Sequence, residues 1–223
     1  MDIHRSLIEK IQNADRQGAN SLMDDWAQEF GHERLLKEVL EPTLMKIGEK
    51  WRSNDSFTLA QAYVAAKIAE DALLKIAERN KDFQGIPHVK GPVVIGNIEE
   101  DFHSLGRRMV KIFLETEGWI VHDLGNDVPA VEFVDKAVAV GAKVIGISAM
   151  MRTTALNIKK VRLELDKRKL SGKIQLAVGG AVFLVIPGFE HEVGSNGTAR
   201  TAIEASSLFD RLWSEAMRME AYK

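Results

Sequence analysis

One stretch decides the fold of this chain: Pro92-Val93-Val94-Ile95-Gly96, followed closely by Asp101-Phe102-His103-Ser104-Leu105-Gly106. The first segment is a short apolar run of the kind that forms a buried β-strand. The second has the pattern D-x-H-x-x-G, and a helical pattern begins near its glycine. A metal-ligating histidine usually needs a carboxylate that fixes its ring tautomer and raises its basicity. The spacing therefore predicts a strand, a loop in which Asp101 supports His103, and a helix.

The same pattern continues to the end of the chain, where short apolar runs alternate with segments of helical periodicity. The runs predict strands at 92–97, 119–124, 143–148 and 174–179, with a weak fifth strand near 191–195. The helical patterns predict helices at 104–117, 129–140, 153–168 and 200–220. This alternation is typical of an α/β domain with a doubly wound parallel sheet, flavodoxin-like or Rossmann-like. Ligands of such sheets bind beyond the carboxyl ends of the strands.

The first part of the chain has a different pattern. Its apolar residues recur at three- and four-residue steps, which predicts helices at about 3–14, 19–30, 35–47 and 57–76. Four helices with short connections favour a bundle, which we place at residues 1–84. A polar stretch with glycines and a proline separates the two patterns. We therefore predict a linker at 85–91 and the α/β domain at 92–223.

Composition narrows the classes of function. The chain has 223 residues, of which 45% are hydrophobic and 28% charged, with a net charge of -2 and no cysteine. The balanced charge predicts no nucleic-acid partner, and no run approaches the roughly 18 apolar residues of a membrane span. The lack of cysteine excludes disulfides, thiolate metal sites and iron–sulfur clusters. Since the N-terminus has no apolar signal segment, a cytoplasmic protein is the simplest interpretation.

Three predicted strand ends carry unusual residues. Asp101 and His103 follow the first strand, Ser148 ends the third, and Gly179-Gly180 end the fourth. In a strand order of 2-1-3-4-5, these three ends lie side by side. A small hydroxyl and two glycines leave space there for a long, flat ligand, with the histidine at the mouth of the slot.

These motifs, in this order and on strand ends, resemble the cobalamin-binding module of methionine synthase and of the corrinoid shuttle proteins of methyltransferase systems. Asp123-Leu124-Gly125 with Val128-Pro129 is similar to the family's second-strand turn, and Gly194-Ser195-Asn196-Gly197 to its last one. Ile47-Gly48-Glu49-Lys50-Trp51 and Phe57-Thr58-Leu59-Ala60-Gln61 resemble the helical cap bundle that precedes this module. The resemblance covers about residues 30–215 and implies a cobalamin cofactor, as methylcobalamin or another corrinoid.

The resemblance also implies a role for each matching residue. His103 would be the lower axial ligand of cobalt in place of the cofactor's own base, and Asp101 and Thr154 would complete a relay with it. Ser148 would contact the displaced base, and Met150 would stand in for the usual leucine. Trp51 would cover the reactive upper face, and Gly179, Gly180 and Gly197 would lie beside the nucleotide tail. The full set of implied cofactor contacts is Trp51, Asp101, Phe102, His103, Ser104, Leu105, Gly106, Ser148, Met150, Thr154, Gly179, Gly180 and Gly197.

Some of these residues have structural alternatives. Trp51 could be a core aromatic of the bundle, Ser148 a strand-end cap, and Thr154 the N-cap of its helix. Three departures from the family pattern stand out: Arg152 replaces a common threonine, Asn126 follows Gly125, and the segment 181–189 is far more apolar than expected. That segment either lines the slot or forms a docking patch for a partner.

The function that the resemblance implies is methyl transfer. A corrinoid shuttle binds cobalamin base-off and His-on, and cycles between Co(I) and methyl-Co(III). Its partners are a substrate-specific methyltransferase and a second methyltransferase; a reductive activator and self-association stay open, as does the methyl donor. The alternative is a cobalamin-based light or ligand sensor, but Gln61-Ala62 stand where such sensors carry Glu-His. The small subunit of an adenosylcobalamin mutase is a third, weaker interpretation.

Overall fold

The computed structural model describes residues 2–52, 58–80 and 90–221, and the chain divides into two units, Met1–Gln84 and Gly85–Lys223. Each unit has its own core. The predicted linker residues 85–89 lie outside the described residues, and the first strand of the second unit begins at Lys90, two residues earlier than predicted.

Helices make up the described part of the first unit. They are α1 (Ile3–Gln12), α2 (Arg16–Phe30), α3 (His32–Arg34), a π-helical stretch (Leu35–Leu40), α4 (Glu41–Arg52) and α5 (Leu59–Asn80). Asp2 and Asp15 begin α1 and α2, where each carboxylate accepts a backbone N–H of the first turn. The alanine face of α5 is buried at Ala65, Ala69 and Ala72, which lets neighbouring helices pack closely. The predicted helical bundle is confirmed.

The second unit is built on a parallel sheet. Within residues 90–221 its strands are β1 (Lys90–Asn97), β2 (Trp119–Asp123), β3 (Val144–Ser148), β4 (Gln175–Gly179) and β5 (Gly197–Thr198). Their order is β2-β1-β3-β4-β5, and every neighbouring pair is parallel. The predicted fold class and strand order are therefore confirmed, and the carboxyl ends of β1, β3 and β4 lie at one edge.

The predicted fifth strand at 191–195 is wrong. A short helix, Phe189–Glu192, occupies its start, and the apolar Val193, which directly follows that helix, is buried. The real strand is the two-residue β5, which is too short to show an alternating pattern. The Asn196 side chain extends the pairing, because its Oδ1 accepts the Leu176 N–H at 2.8 Å.

Helices cover both faces of the sheet. They are α6 (Leu105–Thr116), α7 (Ala130–Val140), α8 (Arg152–Ala155), α9 (Ile158–Lys167), α10 (Ala181–Val185), α11 (Phe189–Glu192) and α12 (Ala202–Ala221). The predicted helix at 153–168 is thus two helices, α8 and α9. The apolar segment 181–189 is only partly internal, because Val182 and Phe183 are buried whereas Leu184 and Val185 are exposed.

Two strand glycines let aromatic rings press against the sheet. A Cβ at Gly96 would lie 2.7 Å from the Phe133 ring of α7, and one at Gly146 would lie 2.6 Å from the Phe209 ring of α12. Any larger residue would push these helices away. The close packing fixes the positions of β1 and β3 relative to α7 and α12, and the carboxyl ends of these two strands carry the candidate site.

Candidate functional site

A buried carboxylate lies at the centre of the strand ends. Asp101 follows β1 and is fully buried. Its Oδ1 accepts the His103 backbone N–H at 2.9 Å and the Asn97 amide at 3.0 Å. Its Oδ2 accepts the Met150 backbone N–H at 2.7 Å and the Thr154 hydroxyl at 3.1 Å. Donors from β1, from its own loop and from the segment after β3 therefore hold one side chain.

These bonds set the charge of Asp101. Burial alone raises the pKa of a carboxyl group, because it disfavours the charged form. Here the hydrogen bonds from Met150, His103, Asn97 and Thr154 outweigh burial, and the pKa of Asp101 lies below its ordinary value. The group is therefore ionised at neutral pH, although its side chain has no exposed surface.

The ionised carboxylate orients the imidazole of His103. The Nδ1 atom lies 3.3 Å from Asp101 Oδ1. Because an ionised carboxylate can only accept a hydrogen bond, Nδ1 carries the proton in this contact. The Nε2 atom makes no hydrogen bond to the described residues, and 49% of the side chain is exposed. The structure thus leaves one nitrogen lone pair available for a ligand, in the manner of a metal-binding histidine.

Thr154 lies inside α8 and does not cap the next helix. It is the third residue of α8, it is buried, and its hydroxyl lies within hydrogen-bond distance of Asp101 Oδ2 and of the Met151 carbonyl. The N-cap interpretation is therefore wrong, because the side chain is turned toward the carboxylate. The structure brings Asp101, His103 and Thr154 together, and their role toward cobalt stays a prediction.

Several residues around His103 are open to solvent. Phe102 and Gly106 are close to it in sequence, and Met150 lies in the segment after β3. Phe102 is 65% exposed and Met150 is 47% exposed, so both offer apolar surface to a ligand. Ser104 and Leu105 are half-buried at the start of α6. Gly106 is exposed, and a Cβ there would meet no described atom within 4 Å. Glycine is also less favourable than alanine inside a helix. Neither the helix nor the neighbouring described residues therefore explain why glycine stands at position 106.

The slot predicted between β3 and β4 contains an open hydroxyl. Ser148 pairs in register with Gly179, is half-buried, and its hydroxyl makes no hydrogen bond to the described residues. A Cβ at Gly179 would have only the Ala199 carbonyl nearby, at 4.0 Å. These two positions leave room and a polar contact at the sheet edge. The strand-end cap suggested as an alternative for Ser148 is not formed by its side chain.

Two other predicted glycines, Gly180 and Gly197, lie close to neighbouring parts of the fold. Gly180 has a φ of 113°, and a Cβ there would lie 2.1 Å from the Ala149 carbonyl. Gly197 lies against α12, where a Cβ would lie 2.6 Å from Arg211 and 2.8 Å from Leu208. Position 180 therefore requires glycine even without a ligand, whereas at position 197 a larger residue would have to displace the flexible ends of Arg211 and Leu208. Their predicted place beside a nucleotide tail stays a prediction.

One predicted residue belongs to the other unit. Trp51 lies in the last turn of α4, but its side chain is outside the described residues. Its predicted place over the upper face stays a prediction.

Sequence reasoning missed two residues of the site, Asn97 and Arg107. Asn97 ends β1 with no exposed surface, and Arg107 lies in the first turn of α6 and is also buried. Both positions carried a signal. A polar residue directly after an apolar strand needs a partner, and a cation in the first turn of a helix opposes the helix dipole.

Comparison with known proteins assigns the family. The model of the B12 binding domain matches residues 91–206, which is more than half of the chain. The chain therefore belongs to the B12-binding domain family, and the predicted class of cofactor, cobalamin or another corrinoid, is confirmed.

Similar proteins of known name are corrinoid proteins. A corrinoid protein of Desulfitobacterium hafniense strain Y51 is 28% identical over 93% of this chain and 97% of its own length. Dimethylamine corrinoid protein 2 of Methanosarcina mazei is 34% identical over 62% of this chain and 65% of its own length.

Solved structures support the same fold. The monomethylamine corrinoid protein of Methanosarcina barkeri matches with a TM-score of 0.77 at 25% identity, over 93% of this chain and 96% of that one. A chain of the methanol:cobalamin methyltransferase complex of the same organism matches with a TM-score of 0.52 at 23% identity, over 96% of this chain and 80% of that one.

No helix within the described ranges is long and apolar enough to cross a bilayer.

Proposed function

We propose that this chain binds a corrinoid base-off and His-on, with His103 as the lower axial ligand, and that it shuttles a methyl group between two methyltransferases. The observation that carries the proposal is the contact of His103 Nδ1 with the buried, ionised Asp101. When bound, the corrinoid supplies a cobalt centre that accepts and releases a methyl group. The cycling between Co(I) and methyl-Co(III) is part of the same proposal.

The residues present fit a corrinoid. A corrinoid brings its own cobalt, and the protein would supply a histidine as a ligand to that metal. His103 offers that ligand through Nε2, because its other nitrogen is held by Asp101. The exposed Phe102 and Met150 supply apolar surface that a ring would cover, with a gain of about 25 cal/mol for each Å² removed from water. The bare surface at Gly106 leaves space for close approach.

The residues of this chain determine which nitrogen of the His103 ring carries the proton. An imidazole binds a metal only when Nε2 is unprotonated. Asp101 favours the tautomer with the proton on Nδ1, which leaves Nε2 unprotonated and open to a metal. Thr154 and the Met150 N–H hold the far oxygen of Asp101, which keeps the near oxygen directed at the histidine. The site would therefore present Nε2 of His103 in one direction, because the carboxylate that holds the ring is itself held in place.

The displaced base of the cofactor would enter the slot at Ser148 and Gly179. The support is the uncommitted hydroxyl of Ser148 and the open space beside Gly179. A hydroxyl can donate to or accept from a ring nitrogen, and glycine permits the ligand to approach the backbone.

The proposed partners are a substrate-specific methyltransferase and a second methyltransferase, with a reductive activator for oxidised cobalt. Their support is the naming of relatives as dimethylamine and trimethylamine corrinoid proteins. We propose methylated amines as the first class of donor to test, with methanol as the comparison.

An absorption spectrum tests the proposal. The purified protein is reconstituted with methylcobalamin as wild type, as His103→Ala and as His122→Ala, a control on β2. We expect a base-off, His-on spectrum in the wild type and the control, and its loss in His103→Ala. Corrinoid that fails to bind, or that binds equally well without His103, would overturn the proposed ligation. Demethylation by an added methyltransferase then tests the shuttle, whereas selective adenosylcobalamin binding with a light-dependent change in assembly would favour a sensor.

A further inference from the structure

Arg107 is a buried cation whose guanidinium joins three side chains. It lies in the first turn of α6 and is only 7% exposed. Its Nε donates to Asn97 Oδ1 at 2.7 Å, one terminal nitrogen donates to Asp123 Oδ1, and the other donates to Asn126 Oδ1 at 3.1 Å. The planar, forked group is suited to such a junction, because its donors have fixed directions. The cation thus ties the end of β1 to the loop after β2.

The bond to Arg107 decides which way the Asn97 amide points. Since Asn97 Oδ1 accepts from Arg107, the amide nitrogen is turned the other way. It donates to Asp101 Oδ1 at 3.0 Å and to the His103 carbonyl at 3.1 Å. One amide therefore holds both the carboxylate and the backbone of the proposed cobalt ligand. With the amide reversed, its oxygen would face two other oxygens, and both contacts would become repulsive.

We infer that Arg107, acting through Asn97, is a positioning residue that fixes the tautomer and direction of the His103 imidazole. The inference rests on the proposed function, because it matters for ligand binding only if His103 is the cobalt ligand. The hydrogen bonds of Arg107 go to Asn97, Asp123 and Asn126 and not to His103, so its effect on the ring passes through the amide of Asn97 and the carboxylate of Asp101. The ion pair with Asp123 holds the guanidinium in place, and Asn126 links the same junction to the Phe102 carbonyl at 3.5 Å.

A lysine at position 107 separates positioning from simple stabilisation. Arg107→Lys retains the positive charge beside Asp123 and hence most of the buried ion pair. A lysine ammonium is a point charge on a flexible stem, and it cannot hold Asn97 and Asp123 in the same fixed geometry. Arg108→Lys is the matched control, because Arg108 is the exposed neighbour in the same turn. Asn97→Leu removes the amide itself while keeping a similar size.

The first readout is the tautomer of His103 in the protein without cofactor, measured from its ring ¹⁵N chemical shifts at one fixed pH where the ring is neutral. We expect the proton on Nδ1 in the wild type and in Arg108→Lys. We expect a mixture with the Nε2-protonated form in Arg107→Lys and Asn97→Leu. The double variant is expected to show no further change beyond Asn97→Leu, because the two residues act in series.

The second readout is methylcobalamin binding. Removing a supporting partner of a metal-ligating histidine typically weakens metal affinity about 10–100-fold. We expect a loss of that size, with a larger histidine-off fraction in the spectrum, in Arg107→Lys and Asn97→Leu, and a change of less than about twofold in Arg108→Lys.

The two readouts keep this inference apart from the proposed function. A folded Arg107→Lys protein with the wild-type tautomer and affinity would overturn the positioning role. If that variant does not fold, Asn97→Leu decides in the same way. A wild type that shows the Nδ1 tautomer but binds no corrinoid through His103 would overturn the proposed ligation and leave the positioning of the ring intact.

Discussion

Glu100 and Asp127 lie in different loops, both have left-handed backbone conformations, and they are joined by a hydrogen bond. Glu100 has a φ of 68° and Asp127 a φ of 55°. The Glu100 backbone N–H donates to Asp127 Oδ1 at 2.7 Å, and the Asp127 N–H returns a bond to the Asp101 carbonyl at 3.2 Å. The loop after β2 thus holds the turn that leads directly into Asp101. The carboxylate of the site is fixed by its backbone as well as by its own hydrogen bonds.

This turn predicts a stabilising substitution. A left-handed conformation costs a residue with a Cβ roughly 1–2 kcal/mol, which glycine avoids, although glycine also loses more entropy on folding. We expect Glu100→Gly to raise the free energy of unfolding by about 0.5 kcal/mol, in a urea denaturation experiment. Glu99→Gly is the control and should lower it, since Glu99 has no positive φ and pairs with Lys160 at 2.9 Å. A loss of stability in Glu100→Gly would contradict the assigned strain.

The hydroxyl of Thr154 is expected to matter far more than that of its neighbour. Thr154→Val keeps the shape of the side chain but removes the donor to Asp101 Oδ2. A buried acceptor that loses a partner costs about 1–3 kcal/mol, so we expect the free energy of unfolding to fall by that amount. Thr153→Val alters an exposed residue in the same turn and should change it by less than about 0.5 kcal/mol. Equal effects of the two variants would show that the contact with Asp101 contributes nothing.

The first unit offers a test of pH dependence away from the site. Hydrogen bonds from Arg16, at 2.7 and 2.6 Å, and from Asn20 lower the pKa of Asp71, which links α5 to α2. A carboxyl group with a lowered pKa in the folded state stabilises the fold above its unfolded pKa. That contribution is lost as the pH falls through the folded pKa.

We therefore expect Asp71→Asn to unfold more easily than the wild type at pH 7, with the difference shrinking steadily as the pH falls below the ordinary range of an aspartate. Urea denaturation at a series of pH values from pH 7 down to pH 2 measures this difference. Glu29→Gln, on the exposed end of α2, serves as the control. A difference that stays constant with pH would mean that the charge of Asp71 is not the source of the stabilisation.

The parts of the fold that could be predicted are those with a local pattern. The strands β1, β3 and β4 are continuous apolar runs, because both faces of each are covered by helices. The site residues Asp101 and His103 lie two positions apart, so their contact follows from a single loop. By contrast, β5 has only two residues and no pattern of its own.

The junction around Arg107 could not be predicted because it depends on tertiary structure. Arg107 and Asp123 are 16 positions apart, and they meet only after β1 and β2 pair in their observed register. Sequence alone gives the charge of the arginine and its unfavourable place in a helix, but not the direction of its partner. The contact of Thr154 in α8 with Asp101 is of the same kind, because the two residues are 53 positions apart in the sequence.

Gly106 provides a final prediction, in which stability and ligand binding change in opposite directions. The residue is exposed in the first turn of α6, and a Cβ there would touch no described atom within 4 Å. Alanine favours a helix over glycine by about 0.5–1 kcal/mol, so Gly106→Ala should raise the free energy of unfolding without cofactor by up to that amount. If a corrin ring lies against this turn, the added methyl group keeps it from His103, and methylcobalamin affinity should fall.

The measurement pairs urea denaturation of the cofactor-free protein with titration by methylcobalamin. Arg108→Ala, two residues further along the same exposed turn, is the control that alters the helix without adding bulk. A Gly106→Ala protein that is more stable and binds methylcobalamin as tightly as the wild type would place the ring elsewhere. A protein that is more stable but binds more weakly would mean that the glycine is kept for the ligand, at the expense of the helix.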